Sequence, residues 1–391
     1  MTASPQVVAL NPQAMSYRGT AVARLNGQAV FISGALPGES IIAEIERRRR
    51  DFLEARAVEV VEASPQRVQP RCDHFGESGS CEWEFIAYPE QLRLKSEILS
   101  DQLRRVGRFA EPPVLPAVPS PSEWGYRNHV RFAVDADGRP SYLRRASHIP
   151  VAVDACAVIC PQLDALLPRL QNRLSGLESV VMRFGVNTSE LLIAPSLEGR
   201  GVDLASGQQC YHEELLGRRF QVSAGSFFQV NTSAADELAR LLLEAVALSG
   251  SERVADLYAG VGTFACLMAP RAGAVFAVEA ASDALEDGRI NSGFLENVRY
   301  RKGLVEQVLP RLDPPPEVAV LDPPRSGCER RVIGALIERP PRRIVYCSCD
   351  TATLARDLRL LVDSGYHLRS SRVIDMFPQT PHIESLSVLE R

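Results

Sequence analysis

From about residue 221 onward, four short apolar runs, RVADLYAG, AVFAVEA, EVAVLDPP and RRIVYCSC, alternate with stretches of helical period. Strands of a parallel sheet are covered on both faces, so they read as unbroken apolar runs. Each also needs a crossover, usually a helix, to reach its parallel neighbour. The pattern predicts an α/β fold, with a doubly wound Rossmann-like sheet over residues 221–391. The first sixty or so residues read differently: QAVFISG and SIIAEIE alternate partly, with turn chemistry at Gly19, Asn26-Gly27 and Pro37-Gly38. Several strands in so short a span predict a small β-barrel over 1–62. Residues 63–220 are expected to form a mixed central domain, which suits a chain of 391 residues, too long for one core. Within it YPEQLRLKSEILSDQLRRV has helical spacing that stops at Gly107, and RNHVRFAVDADGRPSYLRR predicts a hairpin around Asp137-Gly138. EPPVLPAVPSPSEW is Pro-rich and reads as a connector.

Charge excludes little. The net charge is −4, and 42 of the 44 basic residues are Arg, spread along the whole chain. The run Arg47 to Arg50 is flanked by Glu44, Glu46, Asp51 and Glu54, so it reads as a solvated face. Apolar stretches are broken by charge before they reach membrane-spanning length. The start, MTASPQVVALNPQ, lacks the charged region and apolar core of a secretory leader. A cytoplasmic protein with its nine cysteines reduced is expected.

In DLYAGVGTF an acidic residue ends a predicted strand, and Gly260 and Gly262 follow before a helix, where the backbone must turn tightly and approach a ligand. The next strand ends at Glu279, nineteen residues after Gly260, placed to accept from both ribose hydroxyls of an adenosyl group. The glycines alone would suit a nicotinamide cofactor almost as well. In LDPPRSG two prolines fix a bend that holds Asp322 at the same sheet edge. YCSCDTATLARDL sets Cys349 between a strand and a helix whose N-terminus favours a thiolate. Cys210, Cys266 and Cys347 read as core. Cys347 and Cys349 share a strand face, so geometry does not separate them. His382 and Glu384 precede the last predicted strand.

The stretches GSFFQVN, DLYAGVGTF, LDPPRSG, YCSCDTATLARDL and DMFPQTPHIES resemble the bacterial RNA uridine-5-methyltransferases. GTAVARLNGQAVFISGALPGESIIAEI resembles a TRAM domain, an RNA-binding barrel. The resemblance implies transfer of a methyl group from S-adenosylmethionine to carbon 5 of a uridine in structured RNA. That carbon is a poor nucleophile until a thiolate adds to carbon 6; a base then removes the carbon 5 proton and the thiol is expelled. By the resemblance Cys349 is the nucleophile and Glu384 the base. Gln229 and Asp322 lie between cofactor and uracil edge, and Tyr258, Gly260, Thr263 and Glu279 line the cofactor site. Phe227 or Phe228 stacks on the extruded base. The chain departs from the family in Asp350, usually Asn, which would raise the Cys349 pKa if ionised nearby. It departs again in Gly303, where a polar adenine contact is expected.

Many members of that family hold a 4Fe-4S cluster on four cysteines. Here Cys72, Cys81 and Cys156 match, while Ser78 takes the place of the middle ligand. The cluster is lost or labile, or Cys160 substitutes, or Ser78 ligates through oxygen; loss or lability ranks first. The TRAM-like start points to 23S ribosomal RNA, with the tRNA T-loop as the alternative, and the protein is expected to act as a monomer away from membranes. A noncatalytic RNA-binding factor and a 5-methylcytosine transferase are weaker readings.

Overall fold

The four apolar runs do pair as parallel neighbours. In the computed structural model, which describes residues 6–145 and 147–391, they form the centre of an eight-stranded sheet. Residues 1–5, where the stretch read for a leader begins, lie outside the described residues. The strand order is Val298–Lys302, Ala274–Glu279, Arg253–Leu257, Val318–Leu321, Arg343–Ser348, Glu384–Glu390, His367–Ile374, Val114–Val118. The first five are mutually parallel, and Glu384–Glu390 runs antiparallel between its neighbours. Strand order reverses between Arg253–Leu257 and Val318–Leu321, which opens a crevice at their C-terminal ends.

Helices cover both faces. On one, the helices Thr232–Val246 and Thr263–Met268 pack Leu238, Leu242, Phe264 and Met268 against Val254, Val320 and Val345. On the other lie Arg330–Glu338 and Thr351–Asp363. The helix Tyr88–Arg105 joins this second layer through Leu94, Ile98, Leu99 and Leu103. Each such buried aliphatic side chain contributes about 1.5–3 kcal/mol.

Two findings correct the reading of 63–220 as a single central unit. The helix Tyr88–Arg105 belongs to the core of the large sheet. Val114–Val118, in the stretch read as a connector, is a strand paired with His367–Ile374. Pro116 does not prevent this, because the strand lies at the sheet edge, where a missing N–H breaks no second ladder. A buried ion pair ties the helix down: Lys95 Nζ donates to Asp375 Oδ1 at 2.7 Å, and neither side chain is exposed. Removing one partner of such a pair costs about 3–5 kcal/mol, since the other is left charged and dry.

The rest of the middle segment forms an antiparallel five-stranded sheet, Pro150–Ala152, Pro140–Leu143, His129–Val134, Ser179–Phe184 and Leu191–Ala194 in spatial order. The expected hairpin turns at Asp137-Gly138, with Gly138 at φ +75°. At the N-terminus six strands curl round one small core in which Ala21 and Ala23, Val30 and Ile32, Ile41 and Ala43, and Leu53 and Ala55 all point inward. Their two-residue spacing is the barrel-like alternation seen in the sequence.

Candidate active site

The crevice begins where Arg253–Leu257 ends. Tyr258 takes φ +68°, a left-handed conformation that costs a non-glycine residue about 1–3 kcal/mol and marks a constrained turn. Gly260 follows at φ +54°, and a Cβ built there would meet nothing within 4 Å, so its surface is open to a ligand. Glu279, at the end of the neighbouring strand, accepts hydrogen bonds from the N–H groups of Gly260 (2.8 Å), Ala280 (2.8 Å) and Ala281 (2.7 Å). A carboxylate offers about four acceptor positions, so one remains for a ribose hydroxyl where the sequence suggested two. Asp256, beneath the turn, is fully buried and neither oxygen has a partner. Burial, with Asp322 and Glu279 nearby, pushes its pKa up to about 7. Phe227, Phe228, Gln229, Thr263 and Asp322 complete the lining. An open glycine surface, an acceptor at the strand end and apolar walls fit an adenosyl group.

Cys349 and Glu384 meet across the sheet. Cys349 directly follows Ser348, which the antiparallel register pairs with Ser385, the neighbour of Glu384. Thiol and carboxyl thus sit at the same end of the two strands, and Glu384 is near enough to raise the Cys349 pKa. Cys347 is sealed in the core, whereas Cys349 emerges half-buried past the strand end. Glu384 is 6% exposed, and its Oε1 has no partner. Burial and the like charge of Asp322 drive its pKa well above the usual carboxylate range. Asp322 is itself pushed up to about 7 by burial. Burial and proximity thus push both carboxyl groups toward their protonated forms.

Two sequence expectations bear on the thiol. The Cys349 pKa is raised to about 11 by burial, then by Glu384 and Asp322; Arg325 and a backbone hydrogen bond lower it only partly. The helix end thus does not produce a resting thiolate. Asp350 is committed to the start of the following helix. It is the N-cap of Thr351–Asp363, its Oδ1 accepting from Ala352 N at 3.1 Å, Thr353 N at 2.8 Å and Thr353 Oγ1 at 3.0 Å. Asn and Asp cap about equally well, so Asp350→Asn should leave melting temperature and turnover nearly unchanged. Asp350→Ala should lose about 1 kcal/mol in thermal melts. A tenfold rate change in Asp350→Asn would contradict this account.

Phe228 is 3% exposed and packs on Phe220 at 6.2 Å, while Phe227 is 68% exposed beside the crevice. Only Phe227 is free to stack on a base. Gly303 closes the strand Val298–Lys302 at φ +148°, its N–H donating to Glu279 O at 3.0 Å, so it offers no side-chain contact. Sequence reading missed the groups that hold these loops. Asp287 accepts from Ser223 N at 2.8 Å, Ser223 Oγ at 2.8 Å, Ser226 Oγ at 2.6 Å and Gln221 Nε2 at 3.1 Å, anchoring the segment before Phe227. Gln91 binds Gln379 twice, side chain to side chain and to its N–H, both at 2.9 Å, and so fixes the approach to Glu384. Both anchors join residues far apart in the chain, and no local pattern marks them.

In the cysteine loop, Cys81 and Cys156 are buried and Cys72 half-buried. They are neighbours: Cys156 and Cys72 both help burial raise the Cys81 pKa. Ser78 Oγ instead shares a hydrogen bond with Ser80 Oγ at 2.9 Å. Cys160 is raised by its own burial and lies at the start of Pro161–Asp164. Three thiols and a hydroxyl do not supply the four thiolates that a 4Fe-4S centre takes. Among the described residues no group of three or more His, Cys, Asp or Glu side chains is arranged to hold a metal ion.

A crevice lined by the glycine turn and Asp322 at the reversal of a doubly wound parallel sheet defines a Rossmann-like fold with its ligand site at the expected edge. Known proteins narrow it. Residues 316–391 match the family model of tRNA (uracil-5-)-methyltransferases, and residues 9–58 that of the TRAM domain. The chain is 33% identical to an uncharacterised RNA methyltransferase of Gloeobacter violaceus, over 99% of this chain and 97% of that one. It is 32% identical to another from Streptomyces avermitilis, over 96% of each. The Pyrococcus abyssi tRNA (uracil-54, C5)-methyltransferase, solved with S-adenosyl-L-homocysteine, superposes with a TM-score of 0.78 at 25% identity, covering 99% of this chain and 100% of that one. The chain belongs to the S-adenosylmethionine-dependent RNA (uracil-5-)-methyltransferases and carries a TRAM domain at its N-terminus. Among the described residues no helix is long and apolar enough to cross a membrane.

Proposed function

We propose that this enzyme methylates carbon 5 of one uridine in 23S ribosomal RNA, as a cytoplasmic monomer, with Cys349 as nucleophile and Glu384 as base. The observation that carries the reading is the convergence of Cys349 and Glu384, which flank the paired Ser348 and Ser385, on Asp322, which shares the crevice with the turn at Gly260. Cys349 loses its thiol proton to water and bonds through Sγ to carbon 6 of the uracil. The ring electrons move to carbon 5, which takes the methyl group as its bond to the sulfonium breaks and S-adenosylhomocysteine is left. S-adenosylmethionine supplies that methyl as an electrophile. Glu384 then takes the carbon 5 proton, the electrons return to the C5–C6 bond and the thiolate leaves. Gln229 and Asp322 hold the uracil edge, Phe227 stacks on the ring, and Tyr258, Gly260, Thr263 and Glu279 bind the cofactor.

A second reading is a tRNA uridine as target. The superposed Pyrococcus abyssi enzyme is named for tRNA and is covered over its whole length, so a barrel at the N-terminus does not by itself select ribosomal RNA. Incubation with labelled cofactor and separate 23S and tRNA transcripts, followed by mapping of the label, tests both. We expect 5-methyluridine at one position of the 23S transcript. Label in tRNA alone would move the assignment to the second reading, and label only in cytidine would sink the uridine assignment.

A further inference from the structure

A second cleft, of about 550 Å³, opens between the five-stranded sheet, the cysteine loop and the segment Thr380–His382 that leads to Glu384. The chain as a whole is acidic, yet Arg127, Arg131 and Arg183 all line this cleft, and among the described residues none of them has a salt bridge. The one lining carboxylate, Glu82, is engaged by Arg145 at 3.0 Å. The positive field acts on His129, whose pKa is pushed down to about 3 by burial and by Arg183, Arg127 and Arg131.

Arg183 is the unusual member. It sits within the strand Ser179–Phe184, paired with His129, and is 4% exposed. Neither Nε nor Nη1 has a hydrogen-bond partner; the Tyr211 ring lies 5.8 Å from the guanidinium carbon, and Tyr211 and the more distant Asp287 offset only part of what burial costs the charge. A guanidinium cannot shed its charge at neutral pH, so burying it unpaired is costly. A group retained at such a cost on the wall of a cleft is suited to an anion that arrives with a ligand. Guanidinium and phosphate match in geometry, each offering two parallel contacts.

We propose that Arg183 binds a backbone phosphodiester of the substrate RNA, next to the uridine that enters the crevice. This rests on RNA being the substrate. It accounts for a cleft that is cationic in an acidic chain and continuous with the loop bearing the candidate base. A nucleotide swung out of its stack carries its flanking phosphates with it, and these need a fixed counter-charge.

The test is Arg183→Met, which keeps the stem and removes the charge, with Arg183→Lys as the conservative variant. Binding of fluorescein-labelled 23S and tRNA transcripts is followed by anisotropy across a salt series, beside calorimetry of S-adenosyl-L-homocysteine and thermal melts without RNA. We expect Arg183→Met to bind the preferred transcript roughly 10-fold more weakly at low salt. The slope of log K against log salt should fall by about 0.7, that of one lost single-strand phosphate contact. Cofactor affinity should be unchanged and the melting temperature equal or higher, since an unpaired buried charge is gone. Arg183→Lys should recover the slope. An unchanged slope in folded Arg183→Met would overturn the proposal. So would a variant too unstable to purify, because the arginine would then be structural. Failure of the unmodified enzyme to bind either transcript would instead strike at the RNA reading itself.

Discussion

Cys349→Ala is expected to reduce methyl transfer to RNA by roughly 10⁴-fold or more, the loss typical of removing a covalent nucleophile. No protein–RNA adduct should survive a denaturing gel. The variant should still fold and bind cofactor, because Cys349 is half-buried and lies past the end of its strand. Cys347→Ala is the control: it removes a sealed core group and should cost stability while leaving the adduct intact. Turnover in Cys349→Ala within tenfold of the unmodified enzyme would exclude the covalent route.

Glu384→Gln should separate the two halves of the reaction. Without a base the carbon 5 proton stays, and turnover should fall by about 10³-fold, within the range for losing a general base. The Sγ–C6 bond should still form, so a methylated protein–RNA adduct should accumulate and be visible by mass spectrometry. The charge balance sharpens this. Glu384 and Asp322 both raise the Cys349 pKa, so replacing one with a neutral amide should lower it and bring adduct formation to lower pH. In the unmodified enzyme the base must be ionised, and its pKa is raised. The rate should therefore climb from pH 6 toward pH 9, losing activity on the acid side first. A rate that fell over that interval, or a Glu384→Gln enzyme with no adduct and normal turnover, would refute the assignment of the base.

Much of the molecule was legible because its signals are local. The four apolar runs name their own strands, Gly260 and Gly262 mark a turn that needs positive φ, and the alternation in QAVFISG marks an inward face. The proline stretch misled for an instructive reason. Pro116 argues against a central strand, and its strand is at the edge, a distinction set by which neighbour is present on the other side. The helix Tyr88–Arg105 was recognisable as a helix. Its membership of the large sheet's core was not, since an amphipathic face does not name its partner.

The candidate site divides along the same line. Sequence alone determined which runs form the parallel strands, the glycine turn, the acidic strand ends and the position of Cys349 beside a helix start, because each depends on the backbone preferences of a few consecutive residues. Tertiary structure decided that Cys349 is half-exposed while Cys347 is sealed in the core, that Phe227 and not Phe228 is free to stack, that Asp350 is spent on a helix cap and that burial and two carboxyl groups raise the Cys349 pKa. These are matters of burial and of charge brought together across the sheet. They depend on which distant residues supply the low-dielectric surroundings and the facing carboxylates, and that is known only once the chain has folded.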